Sequence, residues 1–275
     1  MKRRDAVPAA LATAAALLSM PNAAKAQPRA VTVYAAGSLR AALTQIGQDF
    51  EATPEGGKVE FVFGASGLLR DRLQGGERAD VFASANMEHP RALAEAGKAE
   101  RVQAFARNAL CLLAAPGFAL KGKTLPQRLL DDDVKLATST PQADPAGDYA
   151  FEMFERVERS GAAPAGSAQR LKAKALQLTG GPNSPPPPRD RNVYGMLIAT
   201  GQADAFVTYC TNATIARQQE PQLQTIAVPD AVNVGGTYGM VMLQPVSEPA
   251  RRFVAFVLGV AGQRRLAEHG FLPPA

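Results

Sequence analysis

Residues 31–38 read VTVYAAGS, an apolar strand-like run that stops at a glycine and a hydroxyl and leads into a helix-like segment. The same arrangement returns one helix later as VEFVFGAS at residues 59–66. Each stretch brings a serine, Ser38 or Ser66, to the start of a helix, where free backbone N–H groups and the positive end of the helix dipole meet. The repeated pattern therefore predicts a cradle for an anion.

The chain from residue 31 to about residue 115 alternates short apolar strands with helical segments. We predict the strands at VTVYAA, VEFVFG, ADVFASA and ALCLLAA. This alternation is typical of parallel βαβ units, so the fold class is α/β with a doubly wound sheet. Ligands of such sheets bind at the carboxyl ends of the strands, where the pattern places Ser38, Ser66 and Ser84.

A second block of strands and helices follows, and the last elements are expected to return to the first sheet. Its predicted strands are VKLATST at residues 134–140 and DAFVTYC at residues 204–210. Between them GGPNSPPPPR, at residues 180–189, predicts a surface loop of polyproline character. We therefore expect two interleaved lobes with a ligand cleft between them: lobe I over residues 27–109 and 216–275, and lobe II over residues 110–215.

The first 26 residues have the pattern of a secretory signal peptide. Basic residues 2–4 precede a short apolar stretch, and Ala24-Lys25-Ala26 has the small-x-small form of a cleavage site. We predict cleavage after Ala26 and a soluble, periplasmic protein. Arg3-Arg4 leaves the twin-arginine route open beside the general secretory route. Without this segment the basic and acidic residues number 26 and 24, so the charge does not demand a nucleic acid partner.

The chain has two cysteines, Cys111 and Cys210, each in a strand-like run. Their spacing supports neither a zinc site nor a redox motif. In an oxidising compartment a single disulfide is permitted, and buried free thiols are the alternative. The sequence gives no distance between the two Cα atoms, so both alternatives stay open.

Three further stretches place hydroxyls or free amides at strand ends and helix starts. In DPAGDY, at residues 144–149, the small residues Ala146 and Gly147 let the backbone approach an anion closely. Val193 lies at another helix start, and Tyr209 closes another strand. Taken singly, the serines could be ordinary N-caps and Tyr209 a core tyrosine.

Such a site would supply hydrogen-bond donors and no acceptors. A fully ionised tetrahedral dianion can use every donor, whereas a protonated oxyanion brings a hydrogen that finds no partner. We therefore expect selectivity to follow from protonation and cavity size. Arg70, Arg107 and Arg191 lie near the proposed loops in sequence and could add attraction or direct contact.

The chain resembles the periplasmic molybdate-binding proteins, the solute receptors of molybdate ABC importers with the type II periplasmic-binding-protein fold. The resemblance rests on the order and spacing of YAAGSL, FGASGLLRDRLQGGERADVFASAN, ARNALCLLA, DPAGDYA, NVYGML, FVTYCTNA and FVAFVLGVAGQRRLAEHGF. It implies that the two lobes are doubly wound mixed sheets. It also implies oxyanion contacts at five positions, none of them a direct metal ligand: Ser38, Ser66, Ala146, Val193 and Tyr209.

The function that follows from the resemblance is capture of molybdate, and of tungstate as well, for a membrane permease. No cofactor and no enzymatic activity are expected, and the chain is expected to be a monomer. NVYG, where a plainer Val-Arg-Gly motif is common, and the polyproline loop depart from the family pattern.

Two other classes of function stay open. The first is a receptor for sulfate, phosphate or iron(III), the iron being held by Tyr149, Tyr194 and Tyr209. The second is an exported serine hydrolase. A hydrolase would need a histidine base, and the sequence offers His89 and His269 in contexts that do not suggest one.

Overall fold

The computed structural model describes residues 29–188 and 190–274. The predicted signal peptide and its cleavage point after Ala26 lie outside the described residues. Within them, none of the helices is long and apolar enough to cross a membrane.

Strands and helices alternate along the described chain, and a short 3-10 turn at Gly37–Leu39 joins the first strand to the first helix. Their order is β1 (Val31–Ala36), α1 (Arg40–Glu51), β2 (Val59–Gly64), α2 (Ser66–Gln74), β3 (Val81–Ser84), α3 (Glu88–Glu95), β4 (Gln103–Asn108), β5 (Leu110–Ala114), α4 (Leu125–Leu129), β6 (Leu136–Ser139), α5 (Pro145–Arg159), α6 (Ser167–Lys174), β7 (Leu176–Thr179), α7 (Val193–Ala199), β8 (Ala205–Tyr209), α8 (Cys210–Gln219), β9 (Gln224–Ala227), β10 (Gly236–Met242), α9 (Glu248–Leu258) and α10 (Val260–Glu268).

The first sheet has the strand order β2-β1-β3-β10-β4. β1 is parallel to both of its neighbours, and β10 runs antiparallel to β3 and β4. Val33 and Tyr34 of β1, which point to opposite faces of the sheet, are both buried, as expected for a strand covered on both faces. Because β1, β2 and β3 run the same way, their carboxyl ends meet at one edge of the sheet.

The second sheet has the strand order β7-β6-β8-β5-β9 and is also mixed. Two five-stranded mixed sheets confirm the predicted two-lobed α/β fold. The second lobe boundary differs from the prediction at residue 216. β9 pairs with β5 in the second sheet, so the chain returns to the first sheet only over residues 228–235, after β9. Lobe II therefore extends to about residue 227.

Helices cover the sheets with apolar faces. In α1 the buried Leu43, Ile46 and Phe50 recur at helical spacing. The ring of Phe50 packs edge-on against Phe253 of α9, with 5.4 Å between their centroids. α9 thus returns to lobe I, as the sequence predicts for the last elements, and packs into its core.

The two connections between the lobes lie side by side. The first passes from Asn108 to Leu110, and the second contains Asn233. The side-chain amide of Asn233 accepts a hydrogen bond from Leu110 N and donates one to Leu110 O, both at 3.0 Å. One side chain therefore takes the place of a neighbouring strand and ties the two connections together.

Cys111 of β5 and Cys210, the first residue of α8, form a disulfide with their Cα atoms 4.8 Å apart. The alternative of free thiols is excluded by this pairing. The bridge lies beside the first connection, because Cys210 N also donates to Ala109 O at 2.9 Å. It fixes the end of β8 to the start of lobe II.

Replacement of both cysteines by alanine should lower the free energy of unfolding by about 2–4 kcal/mol, since the bridge joins residues 99 positions apart and restricts the unfolded chain. Urea unfolding of the oxidised wild type and of the double variant measures the difference. Reduction should bring the wild type to the stability of the variant and leave the variant unchanged. Equal stability of the oxidised wild type and the variant would contradict the expectation.

Candidate functional site

The carboxyl ends of β1, β2 and β3 carry the three serines that the sequence places there. Ser38 lies in the turn after β1, Ser66 begins α2, and Ser84 ends β3. Ser84 is fully buried and donates to the side-chain oxygen of Asn86 at 2.9 Å, so it stabilises its own turn. Ser38 and Ser66 remain as the candidates for contact with a ligand.

Ser66 of lobe I and Tyr209 of lobe II both contact the backbone of Ala85. The Ala85 N–H donates to Ser66 Oγ at 3.1 Å, and the Tyr209 hydroxyl donates to the Ala85 carbonyl oxygen at 3.5 Å. The three residues are almost completely buried. Two predicted site residues from different lobes therefore contact the backbone of one residue.

Ser38 joins this group through Tyr238, a residue of β10. The Ser38 and Tyr238 hydroxyl oxygens are 2.9 Å apart. The ring of Tyr238 packs on that of Tyr209, with 5.6 Å between the centroids. Sequence reasoning missed Tyr238, whose only signal was a polar group in an apolar strand shortly after the second connection. The structure brings Ser38, Ser66 and Tyr209 together.

Ala146 lies in the first turn of α5, which is capped by Asp144 and begins with Pro145. Its N–H donates to Asp144 Oδ1 at 3.1 Å, so a carboxylate occupies the helix start that the sequence assigns to an anion. The next residue, Gly147, lies so close to β6 that an added Cβ would be 2.5 Å from Ser139 O. A small residue is required there by packing.

Val193 begins α7, whose N-cap Asn192 accepts a hydrogen bond from Gly195 N at 3.0 Å. The Val193 side chain lines a cavity of about 450 Å³ together with Thr140 and the polyproline loop, all within lobe II. Its side chain is thus not grouped with the serines. The group of α7 that could serve the cleft is a backbone N–H of its first turn, because this N–H has no hydrogen-bond partner inside the helix.

The lobes touch each other where α2 begins. Gly67 N donates to Ala143 O at 2.8 Å across the cleft. A Cβ on Gly67 would lie 2.5 Å from Gln142 O and 2.7 Å from Ala143 O. Gln142 has a left-handed backbone with φ of 67°, and its N–H donates to Asp148 Oδ1 at 2.7 Å. The structure is therefore a closed one, and its closure depends on a glycine.

The three arginines considered from the sequence have partners of their own. Arg70 pairs with Asp71 and donates to His89 Nδ1 at 3.2 Å, Arg107 donates to the carbonyl oxygen of Pro273, and Arg191 pairs with Glu220. These contacts direct Arg107 and Arg191 to the surface of their own lobes.

The two histidines are also engaged outside the serine group. Burial, with a smaller effect of Arg70, lowers the pKa of His89 to about 4, so its ring is neutral. His269 Nε2 lies 2.9 Å from the side-chain oxygen of Gln45. The contact to Ser66 Oγ comes from the Ala85 amide, so the geometry offers no serine–histidine pair at Ser66.

Burial raises the pKa values of Tyr149, Tyr194 and Tyr209 above the ordinary value for tyrosine, so all three hydroxyls stay protonated. Among the residues that the structure describes, no three His, Cys, Asp or Glu side chains are grouped to hold a metal ion. The group formed by Ser38, Ser66, Tyr209 and the Ala85 backbone therefore consists of neutral hydroxyls and peptide groups.

Residues 31–272 match the family of bacterial extracellular solute-binding proteins, and the chain belongs to that family. It is 34% identical over 246 residues to the uncharacterised protein PM1146 of Pasteurella multocida, covering 88% of this chain and 98% of that protein. It is 32% identical over 251 residues to the molybdate-binding protein ModA of Mycobacterium tuberculosis, covering 90% of this chain and 85% of that protein.

Solved structures share the two-lobed fold of type II periplasmic binding proteins. The periplasmic molybdate-binding protein of Azotobacter vinelandii aligns with a TM-score of 0.70 at 19% identity, over 89% of this chain and 100% of that one. The sulfate-binding protein SubI of M. tuberculosis aligns with a TM-score of 0.73 at 16% identity, over 89% and 86%. At these identities the likeness shows the fold alone.

Burial raises the pKa of Asp144 from 3.8 to about 6. Between these values the folded protein keeps a proton that the unfolded chain releases, so Asp144 makes the protein less stable as the pH rises from about 4 to 6. Asp144→Asn retains an N-cap side chain but cannot titrate, so the pH-dependent contribution of residue 144 to stability should vanish. Unfolding free energies of wild type and variant, measured from pH 4 to 7, test the expectation.

The stability of the wild type relative to Asp144→Asn should fall through this window and then level off. Asp133→Asn serves as a control of opposite sign, because the hydrogen bond from Arg128 lowers the pKa of Asp133. The wild type should gain stability relative to that control as the pH rises toward 4 and should change little from pH 4 to 7, because Asp133 titrates below this range in both the folded and the unfolded chain. A difference between wild type and Asp144→Asn that does not depend on pH would refute the assignment.

Proposed function

We propose that this protein captures molybdate, and also tungstate, in the cleft between its lobes and delivers the oxyanion to the membrane permease of an ABC importer. The family supports the role of a solute receptor, and the ModA proteins among its relatives support molybdate as the solute. On this proposal the mature chain begins at Gln27, acts in the periplasm as a monomer, and carries out no covalent chemistry.

One observation carries the choice of ligand: Ser66 accepts a hydrogen bond from the Ala85 amide at 3.1 Å. Its oxygen is thereby supplied with a donor, and its own proton is left to donate into the cleft. A hydroxyl held in this way favours an oxyanion that has lone pairs and no proton. Molybdate, tungstate and sulfate satisfy this condition at neutral pH, whereas phosphate retains a hydrogen.

The proposed contacts are the hydroxyls of Ser38, Ser66 and Tyr209 and the first-turn amides at Ala146 and Val193. In the closed structure the Tyr209 proton points to Ala85 O across a long 3.5 Å contact, and the Ala146 amide is held by Asp144. An oxyanion would take over both donors, which a weak contact and a displaceable cap permit. The ligand oxygens, not the metal atom, meet the protein.

Among the other anions, sulfate is the strongest alternative, because it is also fully ionised and SubI shares the fold. Sulfate is smaller than molybdate, so cavity size must separate the two. Iron(III) is disfavoured, because burial raises the pKa values of the tyrosines that would have to ionise to bind it. A serine hydrolase is disfavoured as well, because the partner of Ser66 is the Ala85 amide and not a histidine.

Calorimetric titration with molybdate, tungstate, sulfate and phosphate tests the proposal. Molybdate and tungstate should bind well below tens of micromolar and raise the melting temperature, and sulfate and phosphate should do so far less. Ser66→Ala should weaken molybdate binding by about 10- to 100-fold, the value of a hydrogen bond to a charged group. Ser160→Ala is the control and should leave molybdate binding unchanged. The Ser160 hydroxyl donates to Val157 O at the far end of α5.

The proposal fails if molybdate at tens of micromolar neither binds nor shifts the melting temperature. A stronger response to sulfate than to molybdate would reassign the receptor to sulfate. Unchanged molybdate affinity in Ser66→Ala would remove the cleft of this structure as the binding site.

Gly67→Ala should shorten the lifetime of the molybdate complex about tenfold or more, because the added methyl group would collide with the backbone of Gln142 and Ala143 when the lobes close. Stopped-flow measurements should show a faster dissociation rate and a nearly unchanged association rate, since the open form is untouched. Gly57→Ala is the matched control, because a Cβ there meets no atom within 4 Å. An unaltered dissociation rate in Gly67→Ala would show that this contact does not hold the lobes together.

A further inference from the structure

A chain of buried hydrogen bonds leads from the first connection between the lobes to Ser38. Asn108, the last residue of β4, places its Nδ2 2.8 Å from Thr211 Oγ1 and 3.4 Å from the Tyr238 hydroxyl. The Tyr238 hydroxyl lies 2.9 Å from Ser38 Oγ. Asn108 is 2% exposed and Tyr238 is fully buried, so water does not compete with these contacts.

The direction of each hydrogen bond in this chain follows from which groups can donate. Ala109 N donates to Asn108 Oδ1 at 3.0 Å, which fixes the orientation of the amide and leaves Nδ2 as the group that faces Tyr238. Nδ2 can only donate, so the Tyr238 oxygen accepts. The Tyr238 proton is buried and needs an acceptor, which Ser38 Oγ provides. Ser38 therefore accepts from Tyr238, and its own proton is free to point into the cleft.

We propose that Asn108 and Tyr238 are positioning residues that make Ser38 a hydrogen-bond donor to the ligand and thereby set the preference for oxyanions without a proton. Neither residue needs to touch the anion. This inference rests on the proposed function, since it assumes that the cleft binds an oxyanion at Ser38.

Ser66 also receives a hydrogen bond from the protein, but from a backbone amide instead of a tyrosine. The Ala85 amide donates to Ser66 as the Tyr238 hydroxyl donates to Ser38, so each serine receives a hydrogen bond from a buried donor behind it. One lone pair of each serine is thereby used by the protein, and the hydroxyl proton is left to donate to the ligand. A hydrogen phosphate ion therefore meets two hydroxyls that act as donors, whereas its own proton needs an acceptor.

This series of hydrogen bonds also links the ligand specificity of Ser38 to the two connections between the lobes. Asn108 lies at the first connection, and Tyr238 lies in β10, shortly after the second connection. Thr211, the other partner of Asn108, follows Tyr209 by two residues in lobe II. The amide that directs the Ser38 proton is thus held by both lobes, and its orientation belongs to the closed arrangement.

Tyr238→Phe is the variant that tests the inference, because it keeps the buried ring and removes only the hydroxyl. Ser38 then regains the freedom to accept, so molybdate affinity should fall about tenfold. The ratio of hydrogen phosphate affinity to molybdate affinity should rise by a similar factor at pH 7.5. The ratio of sulfate affinity to molybdate affinity should stay constant, because neither anion carries a proton.

Tyr34→Phe is the matched control. Tyr34 lies in β1 of the same sheet, and its hydroxyl donates to Glu77 at 2.6 Å on the outer side of the lobe. Loss of the Tyr34 hydroxyl should change neither the molybdate affinity nor the ratios of phosphate and sulfate affinity to molybdate affinity. Asn108→Asp gives a second test that keeps the shape, since a carboxylate accepts the Tyr238 proton and draws it away from Ser38. It should shift the phosphate-to-molybdate ratio in the same direction as Tyr238→Phe.

A double-mutant cycle with Ser38→Ala shows whether Tyr238 acts through Ser38. In the Ser38→Ala background, Tyr238→Phe should change molybdate affinity less than twofold and leave the phosphate-to-molybdate ratio unchanged. A full tenfold effect in that background, or an unchanged ratio in Tyr238→Phe and Asn108→Asp alone, would overturn the inference. A wild type that binds none of the oxyanions would instead overturn the proposed function.

Discussion

The backbone of Ala85 is the constraint on which the arrangement of the cleft depends. Its N–H is bound to Ser66 of lobe I, and its carbonyl faces the hydroxyl of Tyr209 of lobe II. The N–H and the carbonyl belong to neighbouring peptide units that meet at the Ala85 Cα, so the backbone torsion angles of Ala85 set the separation of the two hydroxyls once the lobes have closed. The buried Ala85 N–H also needs a partner, which makes its contact with Ser66 a requirement of the fold as well as of the site.

Two of the three arginines considered for the cleft are held by partners elsewhere. Arg107 bonds to the carbonyl of Pro273, and Arg191 pairs with Glu220. A dianion in the cleft would accordingly be met by hydroxyls and by amides at helix starts, whose partial charges act over short distances. Such a site senses where the protons and oxygens of a ligand lie, because the attraction falls off quickly when a donor and an oxygen are misaligned.

The fold and part of the site could be predicted from local patterns. The alternation of apolar strands and helices placed Ser38 and Ser66 at the carboxyl ends of parallel strands, because that geometry follows from sequence order alone. The start of α5 at the Pro-Ala-Gly turn was visible for the same reason. The disulfide stayed undecided, since it depends on a distance between two Cα atoms that no local pattern reports.

What was missed depends on pairing between distant parts of the chain. β9 joined the second sheet because β5 had a free edge there, which the short stretch QTIA at residues 224–227 does not reveal. Tyr238 acquired its role from Ser38, which lies 200 residues earlier. Asp144 was considered only as part of a turn. Its cap on the Ala146 amide is a local contact, but the burial that raises its pKa depends on tertiary packing.

The two hydrogen bonds between the Asn233 side chain and the Leu110 backbone affect how the lobes can move. Two separate connections could each twist on their own, and the lobes could then slide as well as rotate. Because one side-chain amide grips both main-chain groups of Leu110, the connections behave as a narrow two-stranded ribbon. A ribbon bends readily across its face and resists shear along its length, so we expect the relative motion of the lobes to consist mainly of opening and closing about one axis.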